Sequence, residues 1–161
     1  MILKENPLIT VERAKIEDAA ALVKVKVSSF SREATLYGSG PPGYDSLENQ
    51  MQGIKHGYCY KIVSNDRIIG GMGVYDKGNG HFRIGSIYID LDFQNQGIGT
   101  LAMKFIGREF PRVTKWSLET PYLSYMNHHF YEKLGFVKVG ATEPESDRNG
   151  FYLFLYEKMI S

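Results

Sequence analysis

Apolar and polar positions recur along this chain with two different periods, and each change of period marks an element boundary. Residues 8–14 alternate apolar and polar, as a strand buried on one face does. Residues 17–30 carry Ala20, Ala21, Val23 and Val27 near helical spacing, and residues 46–55 form a second, weaker helical pattern. Residues 58–63 and 68–75 read as strands joined by Ser64-Asn65-Asp66-Arg67, which makes a hairpin. Gly78-Asn79-Gly80 is a second turn, and a strand over 82–89 follows it. Ile98, Leu101, Ala102, Phe105 and Ile106 fall at i, i+3, i+4, i+7 and i+8. That is a helix with one buried face, and Pro111 ends it. Residues 113–118 read as strand, 125–134 as helix, and 136–139 and 151–157 as strands. A strand meander followed by β/α alternation predicts a mixed α/β fold, a mixed sheet covered by helices.

Composition narrows the class. The chain has 161 residues, 43% of them apolar and 23% charged. Those values suit one ordinary globular domain over 1–161. Its formal net charge of +1 argues against a duplex nucleic acid or an anionic membrane as the main partner. The single cysteine, Cys59, forms neither an internal disulfide nor a cysteine zinc site, and a reducing cytoplasm is the simplest home. Residues 1–14 lack the apolar run of a signal peptide, and no stretch approaches the ~18 apolar residues of a membrane span.

The strongest chemical signal is Gln94-Asn95-Gln96-Gly97-Ile98-Gly99-Thr100, between a strand and a helix. Glycines at a helix start let a ligand approach the backbone closely. The free N–H groups of the first turn and the positive end of the helix dipole then suit a phosphate or pyrophosphate. A P-loop is excluded, because no Lys follows Gly99. A dinucleotide fingerprint stays open: residues 97–102 read G-x-G-x-x-A, and Glu119 follows at the distance where a ribose-binding acid would stand. Against it, Asp90 to Gln96 separate the strand from the first glycine, and a meander precedes the motif. A glycine turn that merely packs helix on sheet is the plain alternative.

Two segments together resemble a known family. Ile87-Tyr88-Ile89 followed by Gln94-x-x-Gly97-x-Gly99 resembles the acetyl-CoA motif Q/R-x-x-G-x-G/A of the GNAT N-acetyltransferases, bacterial type. Phe130-Tyr131-Glu132-Lys133-Leu134-Gly135-Phe136, further along and in the right order, resembles the second signature of that family. The resemblance implies a central, bent, mostly antiparallel sheet splayed after its fourth strand, helices on both faces, and a cofactor entering the split. It implies acetyl-CoA as co-substrate, no metal, and a small-molecule or peptide amine as acceptor. It leaves a homodimer open.

The resemblance also implies roles. Backbone groups of Ile87, Tyr88 and Ile89 would pair with the pantetheine arm like an added strand. Gln94 heads the motif, and the amides of Asn95, Gln96, Gly97, Ile98, Gly99 and Thr100 would cradle the pyrophosphate. Tyr131 would be the general acid that protonates the departing thiolate. The alternative is that Tyr131 is one of eleven tyrosines and packs a helix on the sheet. An alkylammonium of pKa ~10 must lose a proton before it attacks, and Glu119 is the candidate base. Many family members place that acid on the fourth strand, but Arg83 stands near that place here. A water chain ending on His56, His81 or Asp90 is the other route. For the cofactor-contacting asparagine, Asn127 is preferred and Ser124, seven residues before Tyr131, is held in reserve. His128 and His129 are adjacent, so they form no two-His metal face and read as a cap and a surface residue.

The implied reaction is direct attack of the amine on the thioester in a ternary complex, with a backbone N–H near Ile89 stabilising the oxyanion. Cys59 reads as a small buried apolar residue, since no Cys-His-Asp set accompanies it. The resemblance places the acceptor near residues 27–55 and 141–150. Glu143, Glu145 and Asp147 would suit a cationic amine, or they form a solvated loop. Gly38, Gly40 and Gly43 mark a loop beside the first of those segments. A non-catalytic acyl-CoA-binding module and a nicotinamide-dependent oxidoreductase are the rival readings.

Overall fold

The computed structural model describes residues 2–3, 6–37, 40–148 and 150–160. Gly38 of the glycine loop lies outside them. The elements are β1 (Ile2–Leu3), β2 (Asn6–Arg13), α1 (Ala19–Ser29), α2 (Ser31–Tyr37), α3 (Leu47–His56), β3 (Tyr58–Ser64), β4 (Arg67–Gly78), β5 (His81–Ile89), α4 (Ile98–Glu109), β6 (Lys115–Pro121), α5 (Tyr125–Lys133), β7 (Val137–Ala141) and β8 (Leu153–Met159). Short 3₁₀ turns stand before α1, before α4 and before β8. The chain divides into two compact units, Met1–Tyr75 with Ser86–Pro111, and Asp76–Gly85 with Arg112–Ser161.

In the first unit β1, β2, β3, β4 and the end of β5 lie in that order, and the β1/β2, β2/β3 and β3/β4 pairs are antiparallel. The β3–β4 hairpin turns on Asn65 and Asp66, at φ 49° and 64°. Two left-handed residues match the twist of the flanking strands, and Asn and Asp tolerate that conformation best after glycine. Ile9 and Val11 of β2, Tyr60 and Ile62 of β3 and Ile69, Met72 and Val74 of β4 are buried. Helix α4 turns all five of its expected apolar residues inward. Its Phe105 meets the Tyr60 ring at 5.4 Å, edge to face, and the Tyr60 hydroxyl donates to Glu109 at 3.2 Å. Burial and the Glu109 carboxylate push the Tyr60 phenol up to about 12.

Helix α1 corrects the sequence reading. Its buried stripe is Ala19, Leu22 and Val25, whereas Ala20, Ala21 and Val27 are exposed. Apolar residues occur on every face of AALVKVKV, so spacing alone does not select the inner one. Helix α3 begins one residue later than expected because Ser46 caps it, its Oγ accepting the Asn49 N–H at 3.1 Å.

Two glycines of β4 make room for Tyr88, one for its backbone and one for its ring. A Cβ on Gly70 would lie 2.6 Å from the Tyr88 carbonyl oxygen, and one on Gly71 would lie 2.5 Å from Tyr88 Cζ. The β3/β4 register also slips between Ile62 and Val63, a β-bulge beside the glycine run.

In the second unit the strands are the start of β5, then β6, β8 and β7. β6/β8 and β7/β8 are antiparallel, and β5/β6 is parallel. The sheet is therefore mixed but mostly antiparallel, as expected. The β5/β6 register runs over His81↔Lys115, Phe82↔Trp116 and Arg83↔Ser117. Both strands continue beyond it, to Ile89 and Pro121, with no further ladder between them among the described residues. The ladder of β5 with β6 thus lies wholly within the second unit. β6 ends three residues later than expected, so Glu119 lies inside the strand and not at its end. No helix among the described residues is long and apolar enough to cross a membrane.

Candidate active site

The expected phosphate turn lies in the first unit. After β5, Asp90 Oδ1 accepts the Asp92 N–H at 3.0 Å and Asp90 Oδ2 meets Arg67 at 3.4 Å. This ties down the short turn Leu91–Phe93, and it occupies one of the fallback base candidates. The chain then passes through Asn95 at φ 63° and Gly97 at φ 79°, both left-handed. Gly97 is the residue that α4 starts from, and its carbonyl accepts the Leu101 N–H at 3.2 Å. That is the first bond of the helix, so Ile98, Gly99 and Thr100 point their N–H groups outward with no intrahelical acceptor. A left-handed residue followed by a helical one turns successive amides toward a common point, a concavity that binds anions. A Cβ on Gly97 would meet no atom within 4 Å, so the space above the turn is open. The glycine is required there by its φ.

Two motif side chains serve the turn itself. Gln94 Nε2 donates to the Ile89 carbonyl at 2.8 Å, and Gln96 Nε2 reaches the Asp92 carbonyl at 3.5 Å. Gln94 thus occupies one backbone acceptor of the stretch expected to pair with pantetheine. Tyr88, in the middle of that stretch, buries its side chain among Leu22, Val25 and Cys59. Any contact of Tyr88 with a cofactor is left to its backbone. Cys59 is buried as expected, and burial pushes its thiol up.

The expected acid lies in the second unit. Helix α5 ends in a Schellman motif. Gly135, at φ 97°, donates its N–H to Glu132 O, and Phe136 donates to Tyr131 O, both at 3.0 Å. The hydrophobic contact that accompanies this motif is the Phe136 ring against the Tyr131 ring, at 5.8 Å between centroids. The run Tyr131 to Phe136 is therefore a helix stop, and its geometry holds the tyrosine. Tyr131 is 7% exposed and touches Phe130 and Tyr156 as well. Burial pushes its phenol well above the usual value, so it keeps its proton. Glu132, next in the signature, accepts the Tyr156 hydroxyl at 2.8 Å.

Glu119 and Arg83 are brought together, with Arg83 Nε 3.5 Å from Glu119 Oε1 and both side chains about one-third exposed. The residue standing where a carboxylate was expected on β5 thus partners the proposed base. Sequence reasoning did not see this pair, because it depends on the parallel β5/β6 register. His81 makes a 2.6 Å hydrogen bond to Ser117 Oγ two residues from each of them. Asn127 is exposed, with Nδ2 3.4 Å from Thr120 Oγ1, while Ser124 precedes α5 without capping it by its side chain. His129 is on the surface as expected. His128 is neither cap nor surface: its ring is buried 4.8 Å from the Phe154 ring, and Nε2 is 2.8 Å from the Pro121 carbonyl. It ties the start of α5 to the end of β6. Among the described residues no three His, Cys, Asp or Glu side chains are grouped to hold a metal ion.

Comparison with known proteins bears on the same segments. The family model for the acetyltransferase (GNAT) domain matches residues 55–138, which include both the turn at Gly97 and helix α5. The Bacillus subtilis (strain 168) protein YrkN is 27% identical, across 93% of this chain and 87% of its own. Among solved structures, the Thermoplasma acidophilum PaiA N-acetyltransferase in complex with coenzyme A matches with TM-score 0.76 at 15% identity, over 94% of this chain and 99% of that one. An acetyltransferase from Thermus thermophilus matches with TM-score 0.79 at 15% identity, over 99% of this chain and 100% of that one. The Escherichia coli ribosomal-protein-S18-alanine N-acetyltransferase matches with TM-score 0.75 at 16% identity, over 95% of this chain and 94% of that one. At these identities the structures share the fold, and the family model carries the assignment: the chain belongs to the GNAT acetyltransferase family.

Proposed function

We propose that this chain moves an acetyl group from acetyl-CoA to a primary amine by direct attack in a ternary complex. The observation that carries the reading is the open, left-handed turn at Gly97 heading α4. Three outward amides, the helix dipole and an absent Cβ fit a pyrophosphate. Backbone groups of Ile87–Ile89 hold the pantetheine arm, with one acceptor already given to Gln94. Asn127, whose amide is exposed, is the cofactor contact favoured over Ser124. Glu119 takes a proton from the acceptor ammonium, directly or through water. The amine nitrogen then forms the C–N bond as the C–S bond breaks. A backbone N–H near Ile89 steadies the oxygen charge. Tyr131 gives its phenolic proton to the thiolate and regains, through water, the second proton that the acylated nitrogen releases. The products are the N-acetylated amine and free thiol.

One observation favours a second reading. The Arg83 guanidinium at 3.5 Å engages the carboxylate that the base would use, which suits a non-catalytic acyl-CoA-binding module. A thermal shift with acetyl-CoA, then an amine panel read by free thiol, separates the readings. A shift with turnover supports transfer, and a shift without turnover on any amine supports the module. A shift with NAD and none with acetyl-CoA removes both.

A further inference from the structure

The sheet of the second unit has a covered face and an open one. Leu118 pairs with Tyr156 across the β6/β8 ladder, both are buried, and the Tyr156 ring lies 6.5 Å from the Tyr131 ring of α5. Side chains alternate along a strand, so Ser117, Glu119, Leu155 and Glu157 point the other way, and none of these is buried. β5 adds His81 and Arg83 to this open face. His81 holds the Ser117 hydroxyl at 2.6 Å, and Lys115 stands 3.5 Å from Glu157. Arg83 and Glu119 meet at 3.5 Å without a hydrogen bond, and neither side chain makes one to any other described residue. About one-third of each is exposed. A planar fork of N–H donors and a carboxylate with acceptor sites to spare thus stand side by side, open to solvent. Exposed ion pairs are weak, so a ligand that satisfies both partners displaces little.

We propose that Arg83 and Glu119 recognise the acceptor together, and that the acceptor is a zwitterion, an α-amino acid. Its carboxylate lies on the Arg83 fork, since a guanidinium takes a carboxylate through parallel N–H bonds. Its ammonium lies on Glu119, the group that takes its proton. Its side chain lies over Leu155, which is half-buried and faces Glu119 across the β6/β8 ladder. Recognition of this kind rests on the acetyl-transfer reading above and specifies its substrate. Charge separates the acceptor classes. A plain amine brings a positive charge to a base that already has a guanidinium beside it, and like charges repel. A zwitterion brings the opposite charge to each member of the pair. Such an acceptor differs from the cationic one that the acidic loop suits, and Glu145 of that loop is itself paired to Arg148 at 3.8 Å.

The test uses amines in matched sets in which one member alone carries the carboxylate: leucine with leucinamide and isopentylamine, alanine with alaninamide and ethylamine. Free thiol reports turnover, and the melting temperature of the acetyl-CoA-saturated protein reports binding. The amino acid is expected to show a KM about tenfold below the others of its set, the size of one charge-assisted contact. Arg83→Gln is expected to raise the KM for the amino acid by about that factor and to lower it for the plain amine. Arg83→Lys should fall between, keeping the charge and losing the fork. Equal use of all members of a set overturns the inference. So does a fall in kcat of Arg83→Gln that is the same for every member with no change in KM, because Arg83 would then only hold Glu119 in place. If no amine is acetylated, acetyl transfer falls and melting decides the site. A shift with the amino acid that its amide does not give and that Arg83→Gln removes keeps the site, and the absence of such a shift discards it.

Discussion

Replacing Gly97 separates what the turn needs for folding from what it needs for the cofactor. Its φ of 79° is left-handed. A residue with a Cβ costs roughly 1–2 kcal/mol in that region. No atom lies within 4 Å of the position a Cβ would take, so no steric penalty adds to that backbone cost. Gly97→Ala is therefore expected to lower stability by about 1–2 kcal/mol, which for a chain of this size is about 2–8 °C in melting temperature. Asparagine tolerates the left-handed region. Asn95 adopts it at φ 63°, two residues earlier. Gly97→Asn should fold nearly as well as the original protein yet carry a side chain into the space above the amides. If that space holds pyrophosphate, its KM for acetyl-CoA rises about tenfold or more, roughly 1.4 kcal/mol of lost binding. Calorimetry and initial-rate kinetics on the two variants decide the matter. Gly97→Asn with wild-type stability and an unchanged KM would refute the cradle and leave a helix start with an unusual φ.

Tyr131→Phe should lower kcat by about a hundredfold while leaving the KM for acetyl-CoA in place. The buried phenol holds its proton above the ordinary tyrosine range, so the alkaline limb of the original enzyme should not set in below about pH 10 on its account. Gly71→Ala drives a methyl into the Tyr88 ring and should cost about 1–3 kcal/mol by thermal melting, part of it recovered in Gly71→Ala/Tyr88→Phe. Burial raises the Asp18 carboxyl, but the Lys15 N–H and the Lys61 ammonium outweigh it and hold the group below its ordinary 3.8. Its contribution to stability is then complete above 3.8 and lost as the pH falls through the depressed native value. Melting curves of Lys61→Met taken into acid should show a shallower decline than those of the original protein.

Helix α4 was legible because five apolar residues occupy one face and, of the others, only Met103 is large and apolar, so the period has one solution. Helix α1 offers apolar residues on every side, and only contact with the sheet selects Leu22 and Val25. Helix α2 was not foreseen, since Ser, Arg, Glu and Thr beside a Gly/Pro run carry no apolar period. The glycine turn and the tyrosine signature were readable because each is local, the whole of its geometry lying within a few residues. The Arg83–Glu119 pair and the burial of His128 against Phe154 depend on partners brought from distant strands. Gln50 had a local trace, since it stands four residues before Ile54 on α3, but a polar residue at an inward position declares no partner.

The Schellman stop of α5 has a kinetic consequence. Its two bonds close loops of a few residues, from Phe136 back to Tyr131 and from Gly135 back to Glu132. Such closures form in well under about a microsecond, as helix turns do. The β6/β8 ladder instead joins Lys115 to Met159 and Pro121 to Leu153, long excursions whose entropy is lost before any pairing energy is gained. The phenol is therefore fixed relative to its own helix early in folding, and the strands beside it are set late. A substitution in β6 or β8 should slow refolding with little effect on the local turn, whereas Gly135→Ala should weaken the turn itself and leave the slow phase governed by the ladder.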